Sequence, residues 1–213
     1  MLTANRFATD FLEVLRAERV IAILRSRDAK EAVSTGKELI GAGIRVLEVS
    51  LTTPGALEAI AELSASTDRS HVLVGAGTVL DATSVAKASE AGARFYVSPV
   101  LEERAIAAAN ELGMASVPGC ATPTEMLAAH AAGAAAIKVF PATLWNPDGL
   151  ANVLRAMPFL PLVPTGGIGV ENAAAWLAAG STALGIGSSL TAAEGNVADL
   201  RRAISPHSTG RNP

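Results

Sequence analysis

The segment AAGAAAIKVFPA, residues 131–142, contains the junction on which the fold prediction is built, a helix end followed directly by a buried strand. Gly133 stands where a helix would end in a left-handed cap. The run AIKVF that follows is almost continuously apolar, which is typical of a parallel strand covered on both faces. Lys138 interrupts this run. Because an unpaired ammonium is costly to bury, this residue must be paired, neutral or used in chemistry.

The same junction recurs along the chain and predicts a parallel sheet. Glycine follows a predicted helix at four further places, Gly43, Gly92, Gly113 and Gly180. Helices between neighbouring parallel strands require right-handed crossovers. The eight predicted strands span residues 19–25, 45–50, 72–77, 94–98, 114–118, 136–140, 161–165 and 183–187.

The length of the repeat favours a barrel. Eight β-α units of about 25 residues nearly fill the chain, so the sequence predicts one α/β domain, a (β/α)8 TIM barrel, rather than an open doubly wound sheet. This domain is expected to span residues 1–205, with an extra N-terminal helix over residues 3–18. Residues 206–213 are polar and are expected to form a disordered tail.

Two Thr-Pro pairs mark predicted helix starts. Thr53-Pro54 and Thr122-Pro123 each combine an N-cap residue with a proline at the first helical position. Glu125 follows Thr122 at the spacing of a capping box. Both pairs therefore predict structure rather than chemistry.

Composition excludes several classes of function. Half of the residues are hydrophobic, and the net charge of −3 provides no basic field for nucleic acid or an anionic membrane. No uninterrupted apolar run reaches the ~18 residues of a membrane span. Cys120 is the only cysteine and the first residues lack the order of a signal peptide, so a reducing, cytoplasmic location is expected. Dispersed histidines and the incomplete glycine motif GAGTVL, residues 75–80, predict neither a metal nor another cofactor.

Charged residues are rare inside the predicted strands. Glu48 lies in the second strand and Lys138 in the sixth. A lysine in an apolar setting has a lowered pKa, so its neutral amine can attack a 2-oxo acid and form an imine. The imine stabilises negative charge at C3 and allows the C3–C4 bond to break or form. A shielded Glu48 carboxylate would carry the proton, and the alternative is a structural Lys138–Glu48 ion pair.

Candidate anion-binding residues follow four of the strands. Thr78 comes after the third strand, where its hydroxyl holds a substrate carboxylate or caps a helix. Arg25 closes the first strand and is either a bidentate anion contact or a solvated loop charge. Barrels commonly bind phosphate on backbone N–H groups after strands seven and eight. The candidates there are Gly166 and Gly167 in PTGGIG, and Ser188 and Ser189 in GIGSSL.

Eight motifs occur in one order along the chain: IAILRS, GIRVLEVSLTTPGALEAI, VGAGTVLDA, FYVSP, PGCATPTE, IKVFPA, VPTGGI and GIGSSL. Over roughly residues 15–190 this pattern resembles the bacterial aldolases of 2-dehydro-3-deoxy-6-phosphogluconate (KDPG), which also act on 4-hydroxy-2-oxoglutarate (KHG). The resemblance implies a class I aldolase on a (β/α)8 barrel, usually a homotrimer of the Entner-Doudoroff pathway. Its expected small-molecule partners are a phosphorylated 2-oxo acid, pyruvate and the aldehyde glyceraldehyde 3-phosphate.

The resemblance also implies roles for individual residues. Lys138 matches the Schiff-base lysine and Glu48 the acid/base carboxylate. Thr78 matches a contact to the pyruvyl carboxylate, and Pro99 and Phe140 match residues that line the pocket. The segment that binds the distal phosphate and adjacent hydroxyls is matched by Thr165, Gly166, Gly167 and Ser188.

One position departs from the pattern of many family members. They carry an arginine where this chain has Thr52, whereas others have an arginine at the end of strand one, so Arg25 is expected to replace it. The similar phosphogalactonate (KDPGal) aldolases differ at C4 of the substrate. Thr165 would donate a hydrogen bond near the C4 hydroxyl, which favours KDPG as substrate.

Two other classes of function stay open at this point. One is a phosphate-binding barrel that performs isomerase or decarboxylase chemistry with Lys138 and Glu48 as non-covalent acid and base. The other is a non-catalytic binding or assembly module in which the two residues form a structural pair. An imine trapped with a 2-oxo acid separates the aldolase from both.

Overall fold

Every predicted strand run contains a strand, and every strand pair is parallel. The computed structural model describes residues 6–68, 71–191 and 197–205, so the predicted tail at 206–213 lies outside the described residues. The strands are β1 Val20–Leu24, β2 Val46–Ser50, β3 Leu73–Gly77, β4 Phe95–Val97, β5 Ala115–Val117, β6 Gly119–Cys120, β7 Ile137–Val139, β8 Leu162–Pro164 and β9 Leu184–Ile186.

Helices separate most of the strands, as predicted. A 3-10 helix over Ala142–Leu144 follows β7. No helix in the described part of the chain is long and apolar enough to cross a membrane. The α-helices are α1 Arg6–Glu18, α2 Ala29–Gly41, α3 Ala56–Ser66, α4 Ala82–Glu90, α5 Glu103–Glu111, α6 Pro123–Ala131, α7 Pro147–Ala156, α8 Val170–Ala178, α9 Ser188–Thr191 and α10 Val197–Ile204.

The fifth predicted strand continues as two strands on either side of Pro118. Proline has no backbone N–H to donate to a ladder, and β5 ends at Val117. The Pro118 carbonyl nevertheless accepts a hydrogen bond from the Lys138 N–H at 2.9 Å, and β6 pairs with β7. The chain therefore changes partner at Pro118, from β4 to β7.

The described strands form two sheets that meet. Their orders are β5-β4-β3-β2-β1-β9 and β6-β7-β8. Thr165, directly after β8, forms an isolated parallel bridge with Gly185 of β9. The result is an α/β fold with a curled parallel sheet, which confirms the predicted class and strand direction.

Neighbouring residues of several strands belong to different apolar clusters. On β2, Val46 belongs to an inner cluster, whereas Leu47 and Val49 pack with the helices in an outer cluster. The inner cluster also contains Phe11 and Leu15 of α1, and the Phe11 ring lies 5.0 Å from that of Phe95. Helix α1 therefore covers the inner face of the sheet.

The helix caps show where local sequence decided the structure. The Thr122 hydroxyl and Glu125 form the predicted capping box of α6. The predicted start at Thr53-Pro54 is wrong, because α3 begins at Ala56 after Gly55 in a left-handed conformation, φ 74°. The Thr53 hydroxyl instead accepts a hydrogen bond from the Ser26 N–H at 3.1 Å, which joins the loops after β1 and β2.

Arg201 anchors α10 to the start of the sheet. Its guanidinium donates to Glu18 Oε2 at 2.6 Å and to the Gly43 carbonyl at 2.7 Å. It also donates to the Glu18 carbonyl at 3.3 Å. Hydrogen bonds that involve a charged group are stronger than those between neutral groups. The three hydrogen bonds of Arg201 are also half-buried. One side chain therefore connects three elements that are distant in the sequence.

We expect Arg201→Met to lower the free energy of unfolding by about 2 to 3 kcal/mol, since it leaves the Glu18 carboxylate and two carbonyls without their donor. The matched control is Arg202→Met on the same helix. Arg202 pairs with Asp199, but its side chain is 78% exposed, so its loss should change stability much less. Urea unfolding of both variants measures the difference. Equal losses would contradict the anchoring role of Arg201.

Candidate active site

Lys138 and Glu48 both project from the inner face of the sheet. On β7, the neighbours Ile137 and Val139 belong to the outer, helix-facing cluster, so the alternation of strand side chains turns Lys138 inward. The same argument holds for Glu48 on β2. Their exposed fractions are only 4% and 2%. The structure therefore brings the two predicted catalytic residues into one buried space.

The Glu48 carboxylate packs directly on the backbone of β3. A β-carbon at Gly77 would overlap with Glu48 Oε1, so glycine at this position makes room for the carboxylate. Glu48 Oε2 has no hydrogen-bond partner within the described ranges. Burial raises the pKa of Glu48, and the charges of Lys138 and Arg25 oppose this rise. A protonated or proton-accepting carboxyl group is therefore available at the centre of the site.

Burial is the largest cause of a lowered pKa at Lys138. The negative charge of Glu48 opposes this shift, and the positive charge of Arg25 adds to it by a smaller amount. Its Nζ lies 4.4 Å from the centre of the Phe140 ring. Among the ion pairs of the described residues, none joins Lys138 to Glu48. The structural ion pair considered from the sequence is therefore not formed, and the lowered pKa increases the share of neutral amine.

Three hydroxyl groups lie where β2 and β3 end. Ser50 Oγ is 2.8 Å from Thr78 Oγ1 and 2.9 Å from Thr52 Oγ1. Thr78 has a positive φ of 57°, which is rare for a β-branched residue. Its hydroxyl is therefore fixed beside Ser50 rather than used to cap a helix; the Asp81 carboxylate caps α4.

A cavity of about 370 Å³ lies beside Lys138. Phe140 connects the two, because its ring lines the cavity and also contacts Lys138 Nζ. Sequence analysis did not identify Glu171, whose only signal is its place in the first turn of the helix after GGIG. Gly185 was also missed; a β-carbon there would overlap with Thr165 Oγ1. Six residues predicted from the sequence line the cavity: Arg25, Phe140, Thr165, Gly166, Gly167 and Ser188.

Pro99 lies next to the strand pair that carries Lys138. A β-carbon at Gly119 would overlap with the Pro99 carbonyl, and Gly119 is the register partner of Lys138. Pro99 and Thr78 are not among the residues that line the cavity. The predicted residues therefore divide into a set around the cavity and a set around the buried Lys138 and Glu48.

Cys120 is not placed for nucleophilic chemistry. The residue is buried on β6, and its burial, with a smaller effect of the Glu125 charge, raises the pKa of the thiol to about 12. A thiol that stays protonated is unreactive. Cys120 is a packing residue of the outer apolar cluster.

Comparison with known proteins assigns the family. The family model described as "Aldolase: KDPG and KHG aldolase" matches residues 11–203. The chain belongs to the KDPG and KHG aldolase family. It is a lyase of the class I aldolase type, as the resemblance implied.

Two curated relatives and one solved structure illustrate the similarity. A probable KDPGal aldolase of Rhizobium meliloti is 37% identical over 86% of each chain. A KDPG aldolase of Treponema pallidum is 37% identical over 78% of this chain and 79% of its own. The KDPG aldolase of Legionella pneumophila was solved with pyruvate captured as a covalent carbinolamine intermediate. It is 28% identical to this chain with a TM-score of 0.79, and the alignment covers 91% of this chain and 97% of the Legionella chain.

We expect the Lys138→Met variant of the aldolase to lose stability as the pH rises. Without the ammonium, the pKa of Glu48 rises further above its ordinary value of 4.5. The folded variant then retains a proton that the unfolded chain releases. This stabilisation is complete below the unfolded pKa and is lost as the pH rises towards the folded pKa. The free energy of unfolding falls by about 1.4 kcal/mol per pH unit in that window.

Urea unfolding from about pH 5 to about pH 8 measures this slope. The matched control is the double variant Lys138→Met/Glu48→Gln, which keeps the shape of the site but removes the titrating carboxyl group. It should lack the additional slope. Parallel pH profiles for the two variants would contradict a raised pKa of Glu48.

Proposed function

We propose that this aldolase cleaves KDPG to pyruvate and glyceraldehyde 3-phosphate through an imine on Lys138. The observation that carries the proposal is the state of Lys138, a buried amine with a lowered pKa and no ion pair with Glu48 in the described part of the chain. A structural lysine would be paired, whereas a nucleophilic amine must be neutral when the ketone arrives.

In this proposal, Lys138 Nζ attacks the C2 carbonyl carbon of KDPG. Protonated Glu48 donates its proton to the carbinolamine hydroxyl, which leaves as water and gives the protonated imine and the Glu48 carboxylate. Glu48 then takes the proton of the C4 hydroxyl, the C3–C4 bond breaks, and its electron pair moves through C3 to neutralise the imine as an enamine. Glyceraldehyde 3-phosphate leaves, C3 regains a proton from Glu48, and water hydrolyses the imine to release pyruvate. Glu48 thus acts alternately as base and acid.

The carboxylate and phosphate ends of the substrate are assigned to the two sets of residues. The Thr78 hydroxyl would bind the carboxylate beside Lys138, with Pro99 next to it. The phosphate would occupy the cavity, held by the N–H groups of Gly166 and Gly167 and by Ser188. Phe140, which touches both spaces, would lie along the carbon chain between them.

In this proposal Arg25 contributes to binding of the anionic substrate. It lines the cavity, and its charge acts on both Glu48 and Lys138. The loop that follows it is bound to the loop after β2 through Ser26 and Thr53. This supports the expectation that Arg25 supplies the positive charge that is missing at Thr52.

KDPGal is the second candidate substrate, favoured by the name of the Rhizobium meliloti relative. KHG cleavage to pyruvate and glyoxylate would use the same imine. Thr165 supports KDPG as a donor to the C4 oxygen, as expected from the sequence. Its Oγ1 donates to the Val163 carbonyl at 3.2 Å, and rotation of the hydroxyl would direct this proton to the C4 oxygen, whose own proton goes to Glu48.

We also infer a closed (β/α)8 barrel domain over residues 1–205, with α1 as the extra helix. The bridge between Thr165 and Gly185 and the direct continuation of β5 into β6 support closure at both junctions of the two sheets. The homotrimer, the Entner-Doudoroff pathway and a cytoplasmic location stay predictions. Light scattering of the purified protein tests the first of these.

Incubation with pyruvate and borohydride tests the imine, because reduction converts it to a stable secondary amine. We expect a pyruvyl-derived mass increase confined to the peptide that contains Lys138. Lys138→Ala should abolish it. Lys37→Ala is the matched control, since Lys37 is half exposed and pairs with Glu62, and it should still be labelled at Lys138. No adduct, where a known lysine aldolase is trapped, would favour a non-covalent isomerase or decarboxylase.

Substrate preference at C4 is tested by comparing kcat/KM for KDPG and KDPGal. We expect the wild-type chain to prefer KDPG. Thr165→Val should lower this preference about five- to tenfold, because it removes one hydrogen bond to the C4 hydroxyl. Thr165→Ser keeps the hydroxyl and should preserve the preference. A wild-type preference for KDPGal would assign the chain to the second candidate.

A further inference from the structure

The hydroxyl cluster at the ends of β2 and β3 consists of Ser50, Thr52 and Thr78, and two of its three members have no role in the proposed mechanism. Ser50 is completely buried, and it faces inward because it lies two residues beyond Glu48 on the same strand. Its Oγ contacts both threonine hydroxyls and also accepts a hydrogen bond from the Thr52 N–H at 3.4 Å. A buried serine with three polar contacts requires a definite arrangement of protons.

The possible proton arrangements are few. A hydroxyl group donates one hydrogen bond and accepts two. The Thr52 N–H occupies one acceptor position of Ser50 Oγ. Ser50 therefore donates to one threonine and accepts from the other. In the first arrangement Thr78 donates to Ser50; in the second Thr52 donates to Ser50, and Ser50 donates to Thr78.

A bound carboxylate distinguishes the two arrangements. An ionised carboxylate only accepts hydrogen bonds. In the first arrangement the single proton of Thr78 is used within the cluster, and its lone pairs would face the carboxylate. In the second arrangement that proton is free. Carboxylate binding at Thr78 thus selects the order Thr52 to Ser50 to Thr78, in which each bond polarises the next.

We propose that Thr52 and Ser50 are positioning residues that direct the Thr78 proton to the carboxylate of the 2-oxo acid. This inference rests on the proposed function. The backbone of Thr78 supports it, because a positive φ at a β-branched residue is strained and such strain persists at binding sites that hold a side chain in one orientation. Ser50 holds that side chain from the buried side.

The chain of hydrogen bonds from Thr52 through Ser50 to Thr78, here called the relay, supplies a donor to the carboxylate. It adds no charge next to Lys138 and Glu48. A second cation at position 52 would oppose protonation of the Lys138 amine and favour ionised Glu48. A hydroxyl donor has neither effect. Thr52 and Ser50 therefore contribute to carboxylate binding while the low charge of the buried space is preserved.

The test compares pyruvate with hydroxyacetone, a ketone of similar size that forms the imine but has no carboxylate. Borohydride trapping on Lys138 is measured as a function of ketone concentration for wild type, Thr52→Val and Ser50→Ala. We expect each variant to trap pyruvate about three- to tenfold less efficiently at low concentration, as expected for one weakened hydrogen bond to a charged group. Trapping of hydroxyacetone should not change.

Conservative and distant variants complete the design. Thr52→Ser keeps the hydroxyl and should restore pyruvate trapping. Ser64→Ala is the matched control for a lost buried serine, because Ser64 Oγ donates to the Gly92 carbonyl far from the site. It should lower stability in urea without changing pyruvate trapping.

Each outcome has a defined meaning. An equal loss of trapping for both ketones would show a merely structural role and overturn the relay, as would unchanged pyruvate trapping in Thr52→Val. Absence of any adduct on wild-type Lys138 would overturn the imine itself, and the relay with it. The wild-type measurement therefore separates failure of the proposed function from failure of this inference.

Discussion

Removal of Lys138 and Glu48 from water is the constraint on which the rest of the site depends. Desolvation disfavours both charged forms, and it is the largest cause of both pKa shifts. The two residues attract each other, but they do not form an ion pair in the described structure. A short ion pair would stabilise the ammonium and remove the proposed nucleophile. The sheet therefore has to keep the two groups in one space without a short ion pair between them.

The surrounding residues follow from this constraint. Gly77 leaves space for the Glu48 carboxylate, and Gly185 leaves space for the Thr165 hydroxyl. Apart from Arg25, anion binding is assigned to hydroxyls and backbone N–H groups, which carry no net charge. Among the described residues that line the cavity, Arg25 is accompanied by the acidic Glu171. The site can thus receive an anionic substrate without a cluster of cations that would raise the charge near Lys138.

Sequence was sufficient for the features that depend on local chemistry. The strands, their direction and the capping box at Thr122 follow from apolar runs and from short-range hydrogen bonding. Lys138 was detectable because a charge in a buried strand is exceptional. The Thr53-Pro54 start was wrong because the Thr53 hydroxyl binds a loop 27 residues away in sequence, a contact that no local pattern contains. The function of Gly77 was equally hidden, since it depends on the side chain of a neighbouring strand.

Helix α1 gives the inner space a closed end. Phe11 and Leu15 fill the side opposite the substrate cavity, and Lys138 lies between this apolar floor and the opening. The imine of the proposed reaction fixes the order of departure, because the pyruvyl group stays bonded to Lys138 after the C3–C4 bond breaks. In the proposed reaction, the phosphorylated aldehyde lies nearer to the exit and leaves first, whereas the pyruvyl group stays attached at the deeper position. The product that leaves last is therefore also the first ligand of the reverse, bond-forming reaction, and the deeper position of its site beneath the cavity matches that order.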